Sequence, residues 1–197
     1  YSAISCYAEA RMNPLQAQFG TIDIYLFDQL LRGRITPGMT IFDAGFGGGR
    51  NLVYFLNEAY TVFGCDPDAK AVQALQGRGD FRQEPVESNS FPDAAADVVV
   101  CSAVLHFAGD DRHFRAMLAG AWRVLKPGGL FFCRLASTIG MESLVKPLGE
   151  RRYWLPDGSE RYLVDEALLM QITDEIGGAL LDPIKTTVVQ NQRAMTT

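Results

Sequence analysis

The run Ile41-Phe42-Asp43-Ala44-Gly45-Phe46-Gly47-Gly48-Gly49-Arg50-Asn51 constrains this chain more than any other stretch, because an apolar strand passes through closely spaced glycines into a predicted helix. Such a join is what a parallel strand-helix unit needs. Gly45 permits a sharp turn, Gly47 lets a ligand approach the backbone, and Gly49 lets the following helix pack close to the strand. The helix start then offers free N–H groups. The spacing departs from the dinucleotide fingerprint Gly-x-Gly-x-x-Gly, since counting from Gly45 puts Arg50 where the third glycine belongs. What stands instead is Asp-x-Gly-x-Gly-x-Gly on Asp43, Gly45, Gly47 and Gly49. A carboxylate at Asp43 would repel a pyrophosphate but suits a cationic ligand.

Further strands follow in regular alternation with helices. Tyr60 to Asp66 reads as a second strand ending in an acid, and Asp66 follows Gly45 at close to the offset of a ribose-binding carboxylate, about 20 residues. Phe81 to Glu84, Asp97 to Ser102 and Leu125 to Phe132 read as the third, fourth and fifth strands, the last entered through Lys126-Pro127-Gly128-Gly129. Between them, Leu52, Val53, Phe55 and Leu56 predict a short helix, Asp66-Pro67-Asp68 opens another through Leu75, and Asp110 to Leu125 carries the stripe Phe114, Met117, Leu118, Ala121, Trp122, Leu125. Alternation of this kind implies a parallel sheet covered by helices on both faces. The first 38 residues read as one or two helices. From Ser137 to Val164 the pattern breaks up, which predicts a long functional loop or a disordered one. Leu180 to Val189 reads as a sixth strand whose start Asp182-Pro183 demotes to an edge or bulge.

With these landmarks in register, Asp43 and its glycines resemble motif I of the class I S-adenosylmethionine-dependent methyltransferases, over roughly residues 39–136. Arg50-Asn51 and the brevity of the chain are similar to the small-molecule branch of that family, of the tellurite-resistance and type 11 kinds. The resemblance implies an α/β, doubly wound, Rossmann-like sheet of seven mostly parallel strands in a single domain spanning 1–197. Within it, 1–38 would be an N-terminal helical lid, 39–136 the cofactor-binding core, 137–164 a substrate cap loop, and 165–197 a C-terminal helix and strands. The seventh strand of the family runs antiparallel beside the sixth, and Arg193 to Thr197 is long enough only to begin it.

The same resemblance assigns S-adenosylmethionine as cofactor. Asp43, Gly45, Phe46, Gly47, Gly49 and Asn51 would lie against its methionine half, with Asp43 near the ammonium. Asp66, beside Pro67, would accept the ribose hydroxyls, the alternative being that it caps the next helix. Glu84 would receive the adenine amino group, or else be a plain surface acid. Pro85 has no N–H, which shifts the ring contact toward the amide of Val86 or to Glu87. Cys101 and Ser102 end the fourth strand, where open parallel sheets place ligands. His106 follows as a candidate general base, with a hydrogen-bonded structural role as the alternative. Tyr7, Arg11, Arg134, Arg151, Arg152, Tyr153 and Trp154 are candidates for a cationic and aromatic substrate wall; in the plainer reading Arg151 and Arg152 are solvated and Trp154 packs the cap onto the core.

Composition narrows the function class. The chain has 197 residues, 48% of them hydrophobic, 21% charged, and a net charge of -5, which suits one packed domain and disfavours a broad grip on nucleic acid. Cys6, Cys65, Cys101 and Cys133 match no zinc spacing, so no metal is expected and the thiols read as reduced. No apolar run is long enough for a membrane span and no signal peptide opens the chain, which predicts a cytoplasmic protein; Tyr1 in place of methionine predicts that a native start is missing. The expected function is methyl transfer to a small-molecule acceptor by in-line displacement. A non-catalytic cofactor-binding module and a nicotinamide-dependent oxidoreductase are the alternatives. Neither the acceptor nor the oligomeric state is legible.

Overall fold

The computed structural model describes residues 13–197. Tyr7, Arg11 and Cys6 lie outside the described residues. Two helices come first: α1 (Pro14–Phe19), where the Asn13 side chain accepts from the Leu15 N–H, and α2 (Ile24–Leu31), where Asp23 accepts from the Tyr25 N–H. There follow β1 (Thr40–Ala44), α3 (Val53–Asn57), β2 (Thr61–Cys65), α4 (Ala69–Ala74), β3 (Asp80–Arg82), β4 (Ala96–Ser102), α5 (Asp111–Val124) and β5 (Leu125–Ser137). A small antiparallel sheet of β6 (Lys146–Gly149), β7 (Arg152–Trp154) and β8 (Glu160–Tyr162) precedes α6 (Glu166–Glu175), β9 (Thr186–Val189) and β10 (Arg193–Thr196).

The main sheet has seven strands in the order β3-β2-β1-β4-β5-β10-β9, and β10 is the antiparallel member. Its centre is buried on both faces, which is why Ile41-Phe42 and Val98-Val99-Val100 are unbroken apolar runs with no exposure. One face carries Phe42, Val99 and Cys101 against Phe114, Leu118 and Ala121 of α5. The other carries Ile41, Val98 and Val100 against Leu26, Leu52 and Phe55. Pairing jumps from Ala96–Leu125 to Val98–Leu130, so Lys126 to Gly129 bulge outward at the amino edge before β5 resumes.

Three expectations change. The segment after the glycines stays in a turn until Val53, and α3 is five residues long, so no extended helix aims its N–H groups at the loop. Residues 137–164 hold the small sheet, and Met141, Val145, Leu155 and Leu163, in the segments flanking its strands, pack with Ala136 and Ala194. The sixth strand is confined to Thr186–Val189, because Asp182 is drawn to Arg34 and Gln29. The seventh strand lies between β5 and β9 with both edges paired, and Gln190 and Asn191, at φ 51° and 54°, turn the hairpin.

Candidate active site

At the carboxyl end of β1, Asp43 is only 2% exposed and has no side-chain hydrogen bond among the described residues. Burial, reinforced by the negative charge of Asp66 and opposed by Arg50, pushes its carboxyl from 3.8 up to about 8. The chain then turns at Gly45, whose φ is 82° and where a Cβ would lie 2.5 Å from the Val104 side chain. Gly47 and Gly48 are bare, with nothing within 4 Å of where a side chain would begin. Gly49 does a different task from the expected one: its φ is 70° and a Cβ would face Leu75, beyond α4, at 3.3 Å.

Asp66, beyond β2, holds this loop in shape. Its Oδ2 accepts the Gly47 N–H at 2.7 Å and its Oδ1 accepts the Asp68 N–H at 2.9 Å. Asp68, not Asp66, caps α4, through the Lys70 N–H. Each oxygen of Asp66 retains acceptor capacity, so bracing the loop and receiving hydroxyls are compatible.

β4 delivers the third part of the site. Cys101 is fully buried, and the Ser102 Oγ is buried without a partner among the described residues. Ala103 is left-handed at φ 64°, and Val104 bends over Gly45 into a 3-10 helix, Leu105–Phe107. There the His106 ring is 6% exposed and its Nδ1 accepts the Ala136 N–H at 3.2 Å. The hydrogen therefore sits on Nε2. Burial, with the charges of Arg161 and Arg193, lowers its pKa to about 4. A histidine whose acceptor nitrogen is taken and whose basicity is this low does not serve as a general base near neutral pH, which corrects that expectation.

Residues 42–133 match the family described as "Methyltransferase domain". An uncharacterized methyltransferase of Synechocystis sp. is 28% identical over 159 residues, covering 79% of this chain and 70% of that one. A methyltransferase domain therefore makes up the core of the chain. Its fold is shared with a solved S-adenosylmethionine-dependent methyltransferase of Methanosarcina mazei (18% identity, TM-score 0.66, covering 85% of this chain and 94% of that one). It is shared too with the 1,6-didemethyltoxoflavin-N1-methyltransferase of Burkholderia thailandensis (18% identity, TM-score 0.60, covering 93% and 79%), solved with S-adenosylhomocysteine bound. The cofactor of this methyltransferase is S-adenosylmethionine, and three features of its own geometry fit that compound: the bare Gly47-Gly48 edge, the unpartnered Asp43, and the orphaned Ser102 Oγ.

Other expected residues of the methyltransferase fall differently. Asn51 is buried and its side chain accepts the Asp23 N–H at 3.0 Å, pinning the start of α2 to the glycine loop. Phe46 is buried edge-on to Phe81, with ring centroids 4.9 Å apart. Pro67 is exposed beside Asp66, and Val86 is buried. Glu84 has both oxygens on Ser90, at 2.7 Å from its N–H and 2.6 Å from its hydroxyl, so it closes the loop after β3. Arg134 is no open substrate contact, because it pairs with Asp23 at 3.1 Å and lies 5.2 Å from the Tyr25 ring. Arg151 pairs with Asp165 and Arg152 with Glu160, while Trp154 stays 46% exposed on the small sheet. The residue missed by sequence reasoning is Asp23. An acid just before an apolar helix such as Ile24–Leu31 is a signal by which its capping role could have been found, but nothing local records that it also meets Arg50 and Arg134.

Proposed function

We propose that this methyltransferase transfers its methyl group to a small-molecule acceptor by in-line displacement. The observation that carries the reading is the bare Gly47-Gly48 edge set between two acids at neighbouring strand ends, Asp43 and Asp66. S-adenosylmethionine, when bound, supplies an electrophilic methyl group on a sulfonium. Asp43 would give up its proton to hold the ammonium, Asp66 would accept the ribose hydroxyls while still bracing Gly47, and Pro67 would border the adenine side. Ser102 offers a hydroxyl at the end of β4. Alignment and exclusion of water then do most of the work, worth up to roughly 7–11 kcal/mol in favourable cases.

A compact acceptor is supported by the acidic chain and by the small sheet, which Tyr162 clamps beside the end of β4 through Asp111 at 2.7 Å and a stack on Phe114 at 4.5 Å. Buried thiols at Cys65 and Cys101 suit a reducing compartment, and we assign the protein to the cytoplasm. No helix among the described residues is long and apolar enough to cross a membrane. The test is incubation with methyl-labelled cofactor and a panel of phenols, thiols, amines and chalcogen oxyanions. Labelled product with release of S-adenosylhomocysteine is expected; tight cofactor binding with no turnover on any acceptor would favour a binding module instead.

A further inference from the structure

Arg134, Arg151 and Arg152, expected to face the acceptor, are already matched by acids, whereas two arginines not expected there lie together at one end of the sheet. Arg161 of β8 and Arg193 of β10 form no ion pair among the described residues, whereas Arg134, Arg151 and Arg152 each do. Arg161 lies over the Phe107 ring at 4.8 Å, and Phe107 is 60% exposed. Phe107 in turn abuts the His106 ring, centroids 4.7 Å apart. Arg193 enters the same end of the sheet, since its neighbour Ala194 is paired with Ser137 and the preceding Ala136 holds His106. The Nε2–H of His106 is a fixed donor without a partner among the described residues, on a side chain more than nine-tenths buried. One acid, Asp157, feels both arginines, but its carboxylate is engaged by Ser159, so one net positive charge remains.

Resting on the small-molecule reading above, we propose that Arg161, Arg193 and the His106 Nε2–H bind the carboxylate of an anionic acceptor whose aromatic ring rests against Phe107. Guanidinium forks suit a planar carboxylate, and an exposed aromatic beside them suits an attached ring. The neutral histidine donates whether or not the pH is near seven, so recognition does not depend on its titration.

Benzoate is the probe, titrated by calorimetry into the full chain with and without S-adenosylhomocysteine, with benzamide as its uncharged counterpart. Benzoate should bind saturably and at least about 10-fold more tightly than benzamide, shifting the His106 Nε2 resonance. Arg161→Gln and Arg193→Gln should each weaken it about 10-fold and leave S-adenosylhomocysteine affinity unchanged, while Arg112→Gln, an equal loss of charge on exposed α5 surface, should do nothing. Equal binding of benzoate and benzamide, or arginine variants that bind benzoate as the parent does, would overturn the proposal. Failure of S-adenosylhomocysteine to bind would instead count against the cofactor reading and leave the benzoate result to stand by itself.

Discussion

Asp43 and Asp66 end adjacent strands, and their surroundings give them different tasks. Asp66 has two backbone N–H donors, whereas Asp43 has burial and a like charge, so it holds its proton up to about 8. In the proposed site, bringing the cofactor's ammonium to Asp43 would expel that proton. Calorimetry in buffers of different ionisation enthalpy should show close to one proton released per S-adenosylmethionine bound near pH 6–7, falling away above about 8. Asp43→Asn should abolish the release. In the proposed ribose role, Asp66→Ala would remove an acceptor from the ligand as well as from Gly47, and charged hydrogen bonds contribute about 1.5–3 kcal/mol, so cofactor affinity should fall roughly 10- to 100-fold. An unchanged dissociation constant would remove Asp66 from the ribose role.

Among elements, α5 decides how the loop after β3 is held. Asn89 donates to the carbonyls of Val86 and Gly120 at 2.8 and 3.0 Å, and Arg123 donates to the Asn89 carbonyl at 2.8 Å. Gly120 is required because a Cβ there would collide with the Val86 carbonyl and press on Glu87 at 2.9 Å. Gly120→Ala should push α5 away from the loop and cost about 1–3 kcal/mol, read as a lower urea midpoint at unchanged slope. The small sheet shows the opposite relation between element and pattern. Its strands carry few buried positions of their own, and Leu155, Tyr162 and Leu163 are buried only because the main sheet and α5 lie beneath them.

At the scale of the molecule, pH acts on stability from two sides. Asp97 accepts from Lys126 Nζ and the Thr40 N–H, and these hydrogen bonds hold its carboxyl below the ordinary range. Its contribution is present above the unfolded value of about 3.9 and is lost as pH falls through the lowered folded value. Asp43 acts in reverse: between about 4 and about 8 the folded state binds the extra proton, so stability declines as pH rises through that window. The urea midpoint should therefore peak in mild acid. Asp43→Asn should raise stability more at pH 8 than at pH 5, and Asp97→Asn should flatten the acid limb. Because Tyr162 belongs to the core cluster, the small sheet and the main sheet should unfold in one transition. Tyr162→Phe keeps the stack on Phe114 but loses the bond to Asp111, which should lower stability by about 1.5–3 kcal/mol without splitting the transition.

The order of strands and helices, the glycine turn and the two acids at its flanks were legible in the residues alone. Each depends on near neighbours: strand period, a glycine able to take positive φ at Gly45 and Gly47, an acid at the end of an apolar run. The short α3, the sheet at 146–162 and the duties of the arginines were decided by tertiary structure. Asp23 and Arg134 meet across 111 residues of chain, and no local pattern records that pairing. His106 changes from candidate base to fixed donor for the same reason: burial and two arginines on distant strands set its charge, and Ala136 takes its lone pair. Local sequence sets backbone conformation, while proton affinity and ion pairing follow from which charges and how little water the finished fold places around a group.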